Sequence, residues 1–356
     1  MSDPANGYAL ITGGAGFVGS NLAARLLADG YAVTIYDNLS RPGSEKNLRW
    51  LRARFGERLR VRISDTRDPV ALREAVQGAD QVFHFAAQVA VTSSVADPLA
   101  DFEVNLRGTL NLLEAIRQAR RPPPLVFTST NKVYGALSDV ELRREGSRYR
   151  PADALLREHG ISEARPLDFH SPYGCSKGGA DQYVRDYTRS FGISAVVLRM
   201  SCIYGPHQFG NEDQGWVAHF LIRALQGRAI TLYGDGAQVR DILFVEDLVD
   251  AMVLCQRRMA ALSGRAFNIG GGPGNTVSLL ELLRNIGRLQ ARAPKVNHAP
   301  WRVGDQRWYV SDTRAFSRAT GWSPRVGVDE GVTRLEAWLR ARQSEEEREP
   351  AGAHAA

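Results

Sequence analysis

The sequence predicts an α/β chain: a doubly wound parallel sheet with a smaller, discontinuous C-terminal lobe. Three observations predict it. Short β-branched apolar runs alternate with helix-length amphipathic segments through the first two hundred residues. Several of these runs are apolar on both faces, as a parallel sheet covered by helices on each side requires. A glycine-rich turn, Gly13-Gly14-Ala15-Gly16-Phe17-Val18-Gly19, joins the first run to the first amphipathic segment. With 356 residues, 44% of them hydrophobic and 24% charged, the chain can bury the cores of two lobes, which excludes disorder for its bulk.

Taken in order, Tyr8–Thr12, Ala32–Tyr36, Leu59–Ile63, Gln81–Phe85, Leu125–Ser129 and Ser194–Leu198 read as strands, and Asn21–Asp29, Val70–Gln77 and Asn105–Gln118 as helices between them. Ala136–His170 is polar, arginine-rich and weakly periodic, an excursion lying over the site. Beyond Gly205 a helix near Trp216–Gln226 leads to a strand at Ile230–Tyr233. The chain then returns to the first lobe at Asp241–Cys255 and Phe267–Ile269, before a helix at Leu279–Gln290. The expected division is a dinucleotide-binding domain over 1–200 and 238–262, a substrate lobe over 201–237 and 263–343, and a solvated tail over 344–356.

Composition narrows the function. The 45 basic and 39 acidic residues give +6, but the basic residues are dispersed, where a nucleic-acid binder would gather them into a stripe. Only Lys46, Lys132, Lys177 and Lys295 are lysines. Three scattered cysteines make neither a disulfide framework nor a zinc site, so no metal is expected. No apolar run reaches the ~18 residues of a membrane span, and Met1–Ala9 lacks a signal peptide's features. The expectation is a cytoplasmic protein that binds neither membrane nor nucleic acid.

In the glycine loop, Gly13 permits the tight turn, Gly16 lets the backbone approach a pyrophosphate, and Gly19 allows close helix packing, so that the helix N-terminus faces the phosphates. Asp37 ends the second strand where an acid would hold the adenosine ribose hydroxyls and repel a 2′-phosphate. NAD is therefore expected over NADP despite nearby Arg41. Asp65 and Thr66 end the third strand, where they either read the adenine or simply close the strand. Phe85-Ala86-Ala87 ends the fourth, as a cofactor surface or a packing turn.

Tyr173 and Lys177 stand at i and i+4 on one side of a helix. The lysine cation, with the charge of an oxidised nicotinamide, would favour the phenolate and make Tyr173 a usable acid/base. Thr130, just past the fifth strand, is placed to donate to a reacting sugar oxygen. Asn105 either orders water or the lysine, or kinks its helix, and His170 is either a second base or a loop-ordering residue.

The glycine loop, Tyr173/Lys177 and Leu198-Arg199…Tyr204-Gly205-Pro206 together resemble the extended short-chain dehydrogenase/reductases that modify nucleotide sugars, from Tyr8 to about Trp338. Ser129-Thr130-Asn131-Lys132-Val133-Tyr134-Gly135, the run Asp168–Lys177, Asp213–Val217 and the long excursion are most similar to the subfamily of CDP-tyvelose (CDP-paratose) 2-epimerases. The 4,6-dehydratases carry an Asp-Glu pair after the threonine. Here Asn131-Lys132 stands in its place, so dehydration lacks its acid and base.

The resemblance implies a Rossmann fold, a homodimer or homotetramer, and NAD held by Gly13, Gly16, Phe17, Val18, Gly19, Asp37, Asn38, Ser40, Arg41, Asp65, Thr66, Phe85, Ala86, Ala87, Gln88, Asn105, Thr128, Tyr173, Lys177 and Met200. It implies catalysis by Thr130, Tyr173 and Lys177. It assigns the diphosphate to Arg240 and Arg302, the nucleotide ribose to Asp305, the base to Tyr233, and the sugar pocket to Ser94, Thr130, Asn131, Gln214, Trp216 and Val217. The activity it implies is epimerisation at C2 of a CDP-linked dideoxyhexose. The alternatives are another epimerase acting on a UDP-, GDP- or CDP-hexose, or a non-catalytic dinucleotide- or RNA-binding relative.

Overall fold

The computed structural model describes residues 6–302 and 304–348. Five parallel strands come first: β1 (Tyr8–Thr12), β2 (Ala32–Asp37), β3 (Leu59–Ile63), β4 (Gln81–His84) and β5 (Leu125–Thr130). They alternate with α1 (Phe17–Ala28), α2 (Ser44–Phe55), α3 (Pro69–Val76), the short α4 (Val91–Ala96) and α5 (Pro98–Phe102), and α6 (Gly108–Arg117). The excursion folds as a hairpin, β6 (Leu142–Glu145) with β7 (Arg148–Pro151), followed by α7 (Ala154–His159). The long α8 (Ser171–Phe191) then leads into β8 (Ala195–Met200).

Downstream come β9 (Cys202–Tyr204), α9 (Trp216–Leu225), β10 (Ile230–Tyr233), β11 (Val239–Phe244), α10 (Val245–Arg257), α11 (Met259–Leu262), β12 (Ala266–Ile269), β13 (Thr276–Ser278), α12 (Leu279–Leu289), β14 (Val296–Ala299), β15 (Trp308–Tyr309), α13 (Arg314–Thr320) and α14 (Val328–Arg348).

Seven strands make the main sheet in the order β12-β8-β5-β4-β1-β2-β3, every pair parallel. Alternation along β1 explains the two layers: Ala9 and Ile11 face the core shared with α1 and α10, while Leu10 faces the core shared with α3, α6 and α8. The strand order reverses between β1 and β4, so a crevice opens above their carboxyl ends, where ligands bind in such sheets.

A second core joins α9, α12, α14 and the strands β10 and β11. Strand β11 pairs with β9 over Ile242–Phe244, and with β13 and β15 over Val239–Asp241. Since β9 follows β8 after one residue, this strand pair ties the two lobes together.

The structure departs from the expected division in three places. Strand β12 is the edge of the main sheet, and Phe316 and Trp322 pack in the first lobe's core, so 263–343 does not fall wholly within the second lobe. Residues 239–244 pair with second-lobe strands, although the expected division places 238–262 in the first domain. Helix α14 runs to Arg348, through the first part of the expected tail. Glu and Arg are good helix formers, and a solvated helix face is as charged as a tail. The tail from residue 349 on lies outside the described residues.

Candidate active site

The glycine loop passes from β1 into α1 beneath the switch point. Gly13 has φ +67°, and a Cβ there would lie 2.6 Å from the Ala86 backbone nitrogen, so the turn is pressed against the exit of β4. A Cβ on Gly19 would lie 2.3 Å from the Gly13 carbonyl oxygen, which fixes the close approach of α1 to the loop. Gly16 differs: its Cβ would meet only the Gly13 oxygen, at 3.1 Å. The protein crowds Gly16 less than Gly13 or Gly19. No side chain caps the N-terminus of α1, which leaves its amides for an anion.

Asp37 ends β2 with its carboxylate accepting from the backbone amides of Ala15 (3.0 Å) and Leu39 (2.8 Å). Burial raises its pKa against those hydrogen bonds. Asp65, Asn38 and Arg67 form one rim cluster: Asn38 donates to Asp65 at 2.7 Å, and Arg67 grips it at 2.9 Å and holds its pKa down at about 2. Ser40 donates its amide to Asn38 on the same rim. Thr66 is buried against Gly108. Phe17, Val18, Phe85, Ala86, Ala87 and Met200 are half-buried around the crevice, and Thr128 spends its hydroxyl on the His84 carbonyl.

Arg41 acts electrostatically on Asp37 and also turns toward the second lobe. Its guanidinium donates to Gln214 at 3.1 Å and acts electrostatically on Tyr173, so the β2–α2 loop reaches across the crevice.

Helix α8 places Tyr173 and Lys177 on its buried face. Thr130 is buried at the end of β5, where it accepts the Lys132 amide at 3.2 Å and eases the ionisation of the Tyr173 phenol. Lys177 lies over the Phe127 ring with its ammonium 4.4 Å from the centroid. Burial pulls the Lys177 pKa down to about 8, opposed by Asp181 and Asp101. Burial pushes the Tyr173 phenol up to about 12, opposed by Thr130 and by Arg41. Burial thus opposes the phenolate in the chain alone, and the expected phenolate relied on the charge of an oxidised nicotinamide as well as on Lys177. Desolvation outweighs the local charges until a further positive charge enters the crevice.

Asn105 lies in a π-helical turn, Glu103–Arg107. Its amide donates to the Gln88 carbonyl, Asp101 and Ser176, and accepts from the Gln88 amide. It both distorts its helix and locks the loop after β4 to α8. His170 is half exposed and turned to Asp168 at 3.1 Å, a contact within its own loop.

On the opposite wall Arg240 and Asp305 are joined at 2.6 Å. Arg302 lies over the Tyr233 ring at 3.8 Å and donates to the Glu212 carbonyl. Trp216 is half-buried, and Asn131 is buried beside Thr130. Two expected pocket residues are placed otherwise. Val217 packs into the second core because it follows Trp216 onto the inner face of α9, and Ser94 is buried with its hydroxyl on the Val91 carbonyl.

Sequence reasoning missed Asp101, which accepts from Ser176 at 2.5 Å, and the fully buried pair of Arg199 and Asp181. It also missed Thr92, which bonds Asp213 at 2.9 Å. Ser176, inside the Tyr–Lys motif, was the one local signal.

Comparison with known proteins agrees with this geometry. Residues 9–270 match the model of the NAD dependent epimerase/dehydratase family. The CDP-paratose 2-epimerase of Salmonella typhi is 42% identical over 335 residues, covering 92% of this chain and 98% of its own. The solved UDP-glucose 4-epimerase of Thermus thermophilus, in complex with NAD, is 35% identical with a TM-score of 0.77, over 94% of this chain and 99% of that one. The UDP-glucose 4-epimerase of Thermotoga maritima, solved with UDP-glucose, is 28% identical with a TM-score of 0.80, over 94% of this chain and 99% of that one. A tight glycine turn between β1 and α1, a buried Tyr–Lys pair on α8, and likeness over nearly the full length place this chain in the NAD-dependent epimerase/dehydratase family.

Proposed function

We propose that this protein epimerises a nucleoside-diphosphate sugar, at C2 of a CDP-linked dideoxyhexose of the paratose–tyvelose type. The observation that carries the reading is the burial together of Thr130 at the end of β5 and of Tyr173 and Lys177 on one face of α8, with Thr130 acting on the Tyr173 phenol. The likeness to CDP-paratose 2-epimerase supports the position on the sugar.

The open face of Gly16, the uncapped start of α1 and Asp37 suit the pyrophosphate and adenosine ribose of NAD. Bound NAD supplies reversible oxidation of a sugar carbinol. Tyr173 takes the proton of the reacting hydroxyl and later returns it, while Thr130 hydrogen-bonds the same oxygen and holds it at the phenol. Lys177, a buried cation one helical turn on from Tyr173, stabilises negative charge as it forms there. Inverting C2 needs a trigonal centre at C2. A ketone at C4 leaves C2 untouched, and a 3-deoxy sugar has no C3 hydroxyl to oxidise, so the hydroxyl at Tyr173 is that of C2 itself.

The first lobe carries the cofactor and the second the nucleotide. Likeness to UDP-glucose 4-epimerases favours a second reading, C4 epimerisation of a UDP-hexose by the same residues. The exposed apolar side chains of Val95, Leu99 and Phe102 on α4–α5, with Phe191 on α8, support a homodimer or homotetramer. Three free cysteines suit a reducing cytoplasm, and among the described residues no helix is long and apolar enough to cross a membrane. Incubation with CDP-paratose, CDP-glucose, UDP-glucose and GDP-mannose tests the reading. Conversion of CDP-paratose to its C2 epimer supports it, and turnover of UDP-glucose alone, at C4, replaces it with the second.

A further inference from the structure

Lys132 is the cation of the crevice that neither the fold nor the acid–base pair uses. It lies in the short 3₁₀ turn Asn131–Tyr134, two residues beyond Thr130. Its side chain is half-buried and crosses to the second lobe, where the ammonium donates to the Gly304 carbonyl and the Gln306 side-chain oxygen, each at 3.3 Å. Both partners are neutral and both contacts are long for a charged donor. Gln306 is itself fixed, donating to the Gly135 carbonyl at 2.6 Å, so it presents its oxygen to Lys132 by construction.

The groups facing the ammonium are Arg240 from β11, Asp305 from the loop before β15, and the thiol of Cys202 from β9. Asp305 is already bonded to Arg240 at 2.6 Å, and among the described residues no carboxylate lies within 4.0 Å of the Lys132 ammonium. Two cations thus share one carboxylate, and burial has raised the Cys202 pKa, which keeps that thiol neutral. A partly desolvated cation that shares its one carboxylate with Arg240 is costly unless a ligand anion completes it.

The geometry points to Lys132 as the residue that grips the sugar-proximal phosphate of the substrate's diphosphate and so selects the ring carbon presented to Tyr173. This rests on the reading of the substrate as a nucleoside-diphosphate sugar. That phosphate is carried by the oxygen on C1, and C2 is the neighbouring ring carbon, whereas C4 lies across the ring. A phosphate anchored two residues from Thr130 draws C2, rather than C4, under the phenol. Burial and Arg240 hold the Lys132 pKa at about 8, so the grip weakens as pH rises through that value.

The test is isothermal titration of the NAD-loaded protein with CDP and CMP, which differ by that phosphate, and with UDP, dTDP and GDP beside their monophosphates. Lys132→Met should weaken CDP binding roughly ten- to hundredfold, the loss of a charged hydrogen bond, and leave CMP binding within about twofold. Lys132→Arg should restore most of the difference. The fall in CDP affinity between pH 7 and 9 should be present in the wild type and absent in Lys132→Met. Equal losses for CDP and CMP, or no loss for either, would overturn the assignment. If UDP binds, CDP does not, and UDP shows the same dependence on Lys132, the assignment stands and the CDP reading fails. If the wild type binds none of the four diphosphates, both fall.

Discussion

Arg199→Met removes the guanidinium that pairs with Asp181 on the buried face of α8, the helix carrying Tyr173 and Lys177. The pair is bidentate, at 2.8 and 3.0 Å, with side chains 3% and 0% exposed. Arg199 also donates to the Tyr134 hydroxyl at 3.1 Å, and Tyr134 donates on to Asn268 at 2.8 Å, so α8, β8 and β12 meet in one polar network. The variant strands a buried carboxylate, which costs about 3–5 kcal/mol. An unfolding entropy of about 2.1 cal/mol/K per residue is about 0.7 kcal/mol/K for 356 residues, so the thermal midpoint should fall by about 4–7 °C. The assay is differential scanning fluorimetry at saturating NAD, comparing Arg199→Met with the double variant Arg199→Met/Asp181→Leu. The double variant has no stranded charge and should recover at least half of the loss. A single variant within about 1 °C of the wild type, or a double variant worse than the single, would refute the claim that this pair anchors the catalytic helix.

Two further outcomes follow from the site. Tyr173→Phe deletes the oxygen proposed to move the proton and keeps the ring, so kcat should fall roughly 10²–10⁴-fold while the NAD released on denaturation is unchanged; near-normal turnover would assign the base elsewhere. His84, buried between Thr12 (2.5 Å) and Thr109 (3.0 Å), has its pKa lowered from 6.5 to about 3 by burial. The unfolded chain therefore takes up a proton that the folded chain refuses. The stability this neutral ring contributes is complete above about pH 6.5 and is lost as pH falls toward 3. Between pH 7 and pH 5 the wild type should lose ~2 kcal/mol relative to His84→Gln, as read by urea midpoints; parallel pH profiles would contradict it.

Much of the fold was legible because parallel strands covered on both faces leave apolar runs that few other structures tolerate. The ranges of β1, β3 and β10 were read directly. The glycine loop was legible because its constraints are local, and Tyr173/Lys177 because one helical turn brings them together.

Contacts that depend on tertiary folding left no such trace. Asp101 meets Ser176 across 75 residues, Arg41 meets Gln214 across 173, and the Lys132 head meets Gln306 across 174. The β6–β7 hairpin was missed because β6 is mostly exposed and offers no apolar alternation. The lobe boundary was misplaced because β11 divides its hydrogen bonds between two sets of partners and β12 is only four residues long. The Tyr–Lys spacing was read correctly, but the pKa of the phenol depends on desolvation, which spacing alone does not report.

The central claim is direct oxidation and reduction at C2 with Tyr173 as the acid/base. Its most direct test is the fate of the hydrogen on that carbon. CDP-paratose carrying deuterium at C2 is converted in ordinary water, and unlabelled substrate is converted in heavy water, with both products read by mass spectrometry and NMR. The account predicts that the C2 deuterium is retained in the epimer and that no solvent deuterium enters at C2, because a hydrogen that leaves as hydride and returns as hydride does not exchange with water. Loss of the label, or solvent deuterium at C2, would mean that a base exchanges that proton, and would contradict the account.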